Sequence, residues 1–389
     1  MAAGGDHYVY PDSGGFFDGG NTIDGILALA ASGTGRTQMA ESLTYLATRL
    51  GGYTGVDFGD RYVGGTAKTL IGVVAAGGDP RSFAGTDLVA DLQGLEVAGG
   101  RFSDTGSGDY TITITQALAL IALARAGEPL TAASVDTLVD QQCSDGGFRA
   151  GIDDPTGCVA DPDATAFAVQ ALVAAGATSA ADEALDRLAA VQGADGSVRG
   201  ADGTPNANTT GVAAQAFAAG GRDADLAEAQ AFLTSLQYGC SSPAALRGGL
   251  AFSAAARSTT AIDDSDLRAT PQGALGLTGE SLLSARVAEG ASAATTALSC
   301  PTTPTPTTTP AVAPTQGSGG SGDAGGTGDT GEDVASDLTG SSAQTGSSAQ
   351  TGSLAQTGSD LLLPVGAGLA LVLVGALAVA ASRRRGAHA

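Results

Sequence analysis

Thr165-Ala-Phe-Ala-Val-Gln-Ala-Leu172 returns 45 residues later as Thr210-Gly-Val-Ala-Ala-Gln-Ala-Phe217. The same frame is met at Thr22-Ile-Asp-Gly-Ile-Leu-Ala-Leu29 and Thr270-Pro-Gln-Gly-Ala-Leu-Gly-Leu277. In each, a threonine is followed six positions on by a small residue and seven on by a large apolar one. Thr66 to Val73 fits, and Gln116 to Leu123 fits with glutamine in place of threonine. Repeats of this length are the mark of stacked supersecondary units. The segments are Ala- and Gly-rich and apolar nearly all round, the composition of a helix enclosed on every side. They read as inner helices starting near 22, 66, 116, 165, 210 and 270. Asn21, Asp109, Asp163 and Asn208 stand at their starts, where a short polar side chain can cap free N–H groups. More amphipathic stretches at 38–50, 132–142, 181–192 and 223–237 read as outer helices. The expectation is an all-α domain of paired helices over residues 1–300.

Two outer stretches end in Gln142-x-x-Asp145-Gly146-Gly147-Phe148 and Gln192-x-x-Asp195-Gly196-Ser197-Val198. Gly99-Gly100-Arg101-Phe102 and Ser13-Gly14-Gly15-Phe16 echo them. The pattern resembles the glutamine-and-tryptophan repeat of the prenyltransferase and squalene oxidase superfamily over about residues 8–290. The chain has no Trp, so the tryptophan is missing throughout. The resemblance implies an α/α toroid of inner and outer helices, as in terpenoid cyclases, protein prenyltransferase β subunits and vitamin B12 carriers. It also implies a further outer helix ahead of Gly4-Gly5-Asp6-His7-Tyr8, and the tail of the chain, which requires export, implies a secretory signal ahead of that.

The catalytic residues of that superfamily are not matched. Protein prenyltransferases hold zinc with Asp, Cys and His; here the histidines are His7 and His388, and no Cys neighbours His7. Class II cyclases use D-x-D-D in an aromatic cavity; Asp161-Pro-Asp163-Ala and Asp263-Asp264-Ser265-Asp266 have the wrong order, and aromatics are 4% of residues. The bland reading of these aspartates is capping and solvated loops. The functional reading sets Asp24, Asp163 and Asp266 as the crown of a central cavity. A calcium loop over 153–163 is a third reading, without EF-hand spacing. No Ser/His/Asp triad can be assembled. No metal or cofactor is called for.

A formal net charge of −22, with Lys68 the only lysine, excludes a nucleic-acid partner, since phosphate backbones are bound by clustered Lys and Arg. Cys143, Cys158, Cys240 and Cys300 form no C-x-x-C pair. Proximity favours disulfides 143–158 and 240–300, although three pairings exist. In the chain-entropy model such loops contribute roughly 3 and about 4 kcal/mol.

From Pro301 the composition changes to Pro/Thr and then Gly/Ser up to 353. Such a segment buries too little apolar surface to order itself, and reads as a disordered spacer. Residues 354–389 follow: Leu354-Ala355-Gln356-Thr357-Gly358, an apolar run over 361–381, and Arg383-Arg384-Arg385. At about 1.5 Å per residue the run matches a bilayer core as one C-terminal transmembrane helix, with the arginines as a cytoplasmic stop-transfer anchor. This order resembles actinobacterial sortase sorting signals. The resemblance implies membrane insertion first, then attack on the Thr357–Gly358 bond by a sortase thiolate and transfer of Thr357 to a peptidoglycan amine. The protein would end exported and anchored in the cell wall. Ser341–Gly346 and Ser347–Gly352, both S-S-A-Q-T-G, lack the leucine and are expected to be poor substrates.

The functional expectation is a wall-anchored toroid that binds a small or apolar ligand, or a surface partner, without catalysis. A terpenoid-cyclase-type enzyme and a structural display or adhesion module are the alternatives. A filled centre would favour display, an apolar hollow binding, and converging carboxylates with aromatic walls an enzyme.

Overall fold

The computed structural model describes residues 7–9, 16–152, 157–294, 298 and 300. The expected spacer and sorting signal, the apolar run 361–381 and part of the 153–163 loop lie outside the described residues. In chain order the helices are α1 (Gly19–Ser32), α2 (Arg36–Thr54), α3 (Val63–Ala75), α4 (Leu88–Gln93), α5 (Thr113–Arg125), α6 (Ala132–Val139), α7 (Pro162–Ala175), α8 (Thr178–Val191), α9 (Ala207–Gly220), α10 (Asp223–Leu236) and α11 (Asp264–Leu277). Two short antiparallel ribbons accompany them: β1 (Tyr8–Val9) with β2 (Phe17–Asp18), and β3 (Phe148–Arg149) with β4 (Ala160–Asp161).

The odd-numbered helices form the inner ring: α1 packs on α3, then α5, α7, α9 and α11 in turn, and α11 returns to α1. Outer helices lie over the junctions, α2 against α1 and α3, and so on to α10 against α9 and α11. The α/α ring that the resemblance implies is therefore present. Short α4 was not foreseen, because six residues carry too little periodicity to read.

The recurring threonine has a structural cause. Thr22, Thr66, Gln116, Thr165 and Thr210 are each the fourth residue of their helix; Thr270 is the seventh. The side chain accepts the N–H of the residue that follows the preceding outer turn: Tyr8 to Thr22 at 2.9 Å, Phe148 to Thr165 at 2.8 Å, Val198 to Thr210 and Leu250 to Thr270 at 3.0 Å. Phe102 donates to Gln116 Oε1 at 2.9 Å. A hydroxyl also donates back to a carbonyl one turn earlier, as Thr22 does to Asp18 at 2.7 Å, so one side chain joins helix to turn. The small residue six positions on permits close helix approach: a Cβ on Gly72 would lie 2.8 Å from Ile23, and one on Gly276 2.7 Å from the Gly211 carbonyl.

The glutamine of the turn motif ties successive outer helices together. Gln142 Nε2 donates to Gly146 O at 2.9 Å within its own turn and to Ala180 O on α8 at 3.0 Å. Gln192 does the same with Gly196 O at 3.1 Å and Asp225 O on α10 at 3.0 Å. Gly146 and Gly196 have φ of 87° and 81°, a region glycine enters without strain. They also press on the next outer helix.

The caps are not where the sequence placed them. The N-terminal N–H groups are capped by Asp18, Asp161, Asn206 and Asp263. Asn21, Asp163 and Asn208 lie inside the first turns and are buried; Asp109 binds Thr111 and Arg101 ahead of α5. A run with two capping residues a few positions apart does not reveal which is the cap. Cys143 and Cys158 are joined by a disulfide, and Cys240 and Cys300 are disulfide-bonded as well. Among the described residues no helix is long and apolar enough to cross a membrane.

Candidate functional site

The repeat frame points at the ring axis. Two residues after each Thr or Gln of the frame come Asp24, Lys68, Leu118, Phe167, Val212 and Gln272, and all six line a central cavity. The next inward turn adds Leu27, Ile71, Gln215 and Leu275. Three neighbouring helices, α11, α1 and α3, thus give the first layer a polar half, and α5, α7 and α9 an apolar half.

The polar half is a connected network. Lys68 Nζ lies 2.9 Å from both carboxylate oxygens of Asp24, and Gln272 Nε2 donates to Asp24 Oδ2 at 3.1 Å. Asn208 Nδ2 donates to Gln272 Oε1 at 2.8 Å. The lone lysine is buried, and burying a charge in this way requires a bonded counter-charge. Sequence reasoning named Asp24 but missed Lys68, Gln215 and Gln272; counting two residues on from each frame threonine would have found Lys68 and Gln272.

At the C-terminal ends of the inner helices, the segment after α11 closes the ring. Leu282 lines the cavity, its N–H donating to Gln170 Oε1 at 2.9 Å and its carbonyl accepting from Arg125 Nη1 at 2.5 Å. Arg125 Nη2 also donates to Ala285 O at 2.7 Å. Burial, with the like charge of Arg286, brings the Arg125 pKa down to about 10. The remaining space is about 20 Å³, enough for one water.

Asp163 and Asp266 do not join Asp24 on the axis; neither lines the cavity. Asp163 is buried near the start of α9, with no partner for Oδ1. Burial, reinforced by the Asp161 charge, raises its pKa to about 8 against a lowering bond from Thr209, which favours the protonated form. Asp266 organises a loop instead: Oδ2 accepts from Tyr238 Oη at 2.8 Å and Oδ1 from Phe252 N at 3.0 Å. Its pKa is raised, chiefly by burial. Among the described residues no group of three or more His, Cys, Asp or Glu side chains is placed to hold a metal ion.

No protein-family model matches the chain, and no curated protein sequence matches it. Solved structures do resemble it in fold. A type II terpene cyclase from Scytonema superposes with a TM-score of 0.50 at 15% identity, over 70% of this chain and 90% of that one. An unsaturated glucuronyl hydrolase specific for heparin gives a TM-score of 0.50 at 13% identity, with the same coverages. The fold is of the α/α toroid type that these enzymes share.

Proposed function

We propose that the chain is an exported, sortase-anchored cell-wall protein whose toroid, filled at its centre, is a display or adhesion module that meets a surface partner on its outside, without catalysis. The order of Leu354–Gly358, apolar run and arginines supports the anchoring, and the paired cysteines fit an oxidising compartment. One observation carries the reading of the toroid: its axis has room for one water, whereas ligand cavities run to about 300–1,000 Å³. The polar half is already neutralised by the Asp24–Lys68 pair, and Phe167 is the one aromatic in the lining. A ligand larger than water or a small ion therefore meets the toroid on its outside. Wall fractionation tests the anchor: Thr357→Ala should remain with the membrane and be absent from muramidase-released material. Unchanged wall attachment would refute it.

A second reading rests on Asp163. A buried, neutral carboxylic acid with an unpartnered oxygen is what acid catalysis requires, and both structural neighbours named above are enzymes. In this reading the strap at Leu282 withdraws to open the axis. Purified protein would be incubated with squalene, prenyl diphosphates and unsaturated glycosaminoglycan fragments. The recognition reading expects no product; a product lost in Asp163→Asn would establish the enzyme.

A further inference from the structure

One helical turn nearer the N-termini than the axial lining, the inner ring carries a second layer, four residues before each residue of the first. Its members are Gly20, Gly64, Ile114, Asp163, Asn208 and Arg268, since residues four apart share a helix face. Glycine on α1 and α3 leaves that part of the layer without side chains. Asp163 and Asn208 are each the second residue of their helix, α7 and α9, and these helices pack together. They are 3% and 2% exposed. We infer that an alkali cation, sodium or potassium, binds between the first turns of α7 and α9, held by Asp163 Oδ1 and Asn208 Oδ1.

A relay of hydrogen bonds fixes which atom of Asn208 is left over. Lys68 Nζ and Gln272 Nε2 both donate to Asp24. Gln272 therefore presents Oε1 to its other neighbour, and Asn208 turns Nδ2 toward α11 to reach it at 2.8 Å. Asn208 Oδ1 is left directed away from α11, buried and without a donor. Asp163 Oδ1, on the helix at the other side of α9, has no donor either. Asn21 Oδ1 and Thr113 Oγ1, in the first turns of α1 and α5, are likewise buried and unpartnered. Each buried side-chain atom left unpaired in the first turns of the described inner helices is thus an oxygen. A buried acceptor without a donor is costly, and a cation satisfies several at once.

The charges around Asp163 suit a cation. Asp161 and Asp202 both act on it as like charges, while Arg268 in the same layer turns back to Asp264 Oδ2 at 3.4 Å. Without the ion a proton takes its place: burial, reinforced by Asp161, pushes the Asp163 pKa up to about 8. The donor set selects a monovalent ion. Calcium is held by several carboxylates, and among the described residues no three His, Cys, Asp or Glu side chains converge on a metal position. One carboxylate and one neutral amide oxygen balance a single positive charge. A bare ion also fits where the axis one turn further in has room for one water. The inference depends neither on the anchoring nor on a partner of the toroid.

The test measures the melting temperature of the 389-residue chain in choline, sodium and potassium chloride of equal ionic strength. It is run at about pH 8.5, where a proton no longer competes for the carboxylate. Sodium or potassium is expected to raise the melting temperature by about 4 °C or more over choline. Asp163→Asn, which keeps the Asp161 cap, should lose most of that shift. Sodium-23 and potassium-39 NMR read binding independently of stability: the line of at least one ion should broaden with the wild type and stay sharp with Asp163→Asn. Equal melting in all three salts, as a proton or a water in that place would give, overturns the inference. Sharp lines for both ions, or an ion-specific shift that survives Asp163→Asn, do the same. A shift given by calcium chloride alone also overturns it, in favour of a divalent site.

Discussion

Asn21 on the first inner helix donates its side-chain amide to the carbonyl of Leu267 on the last, at 3.3 Å. That carbonyl lies four residues before Pro271, which has no N–H to give it. A proline inside a helix leaves this acceptor unpaired, and the closing contact of the ring supplies the missing donor. Asn21→Ala should cost about 1–3 kcal/mol, the range for orphaning a buried polar group. Adding Pro271→Ala should recover much of it by restoring the helical bond. Urea unfolding of the two single variants and the double variant measures the coupling; strictly additive losses would refute this assignment.

Lys68→Met leaves the Asp24 carboxylate buried beside an apolar neighbour. Breaking a buried pair from one side costs about 3–5 kcal/mol, so the variant should show a sharply lower urea midpoint. Asp24→Leu combined with Lys68→Met should regain most of the loss, because neither charge is then buried alone.

Asp163 makes stability depend on pH. Its folded pKa of about 8 exceeds the unfolded value of 3.8, so between them the folded state holds a proton that the unfolded state does not. Its contribution to stability is therefore greatest at low pH and is lost as pH rises from about 4 through about 8. Asp163→Asn removes that slope. Relative to wild type, the variant should gain at least about 1.4 kcal/mol between pH 5 and pH 8.5, one pKa unit's worth. Parallel curves for the two proteins would show that Asp163 is ionised in the fold. The cap itself is kept, because Asp161 provides it.

The turn glycines separate two costs. Gly196→Ala meets both a positive φ and the Glu228 carbonyl, whereas Gly248→Ala meets the φ alone. A left-handed conformation costs a residue with a Cβ about 1–2 kcal/mol. Gly248→Ala should stay within that range in the 389-residue chain and Gly196→Ala should exceed it. Differential scanning calorimetry of both variants decides; equal losses would mean that the Glu228 contact yields freely.

The inner helices and their spacing were legible in the sequence because the frame threonine acts locally, within one turn of its own helix and on the turn before it. The Gln-x-x-Asp-Gly motif was legible for the same reason: Asp145 and Gln142 close the turn they stand in. The helix starts were placed about three residues late because Asn21, Asp163 and Asn208 have the chemistry of caps, and nothing local distinguishes them from Asp18, Asp161 and Asn206.

What the sequence determined by itself is therefore the set of paired helices and their turns. Only the tertiary structure decided which polar residues meet. Asp24 and Gln272 stand 248 positions apart, and their contact exists because the sixth inner helix closes on the first. Ring closure likewise turned Lys68 inward and reduced the axis to the volume of one water. Among the described residues one junction has no outer helix, since whether a helix face is covered depends on its neighbours in space and not on its own residues.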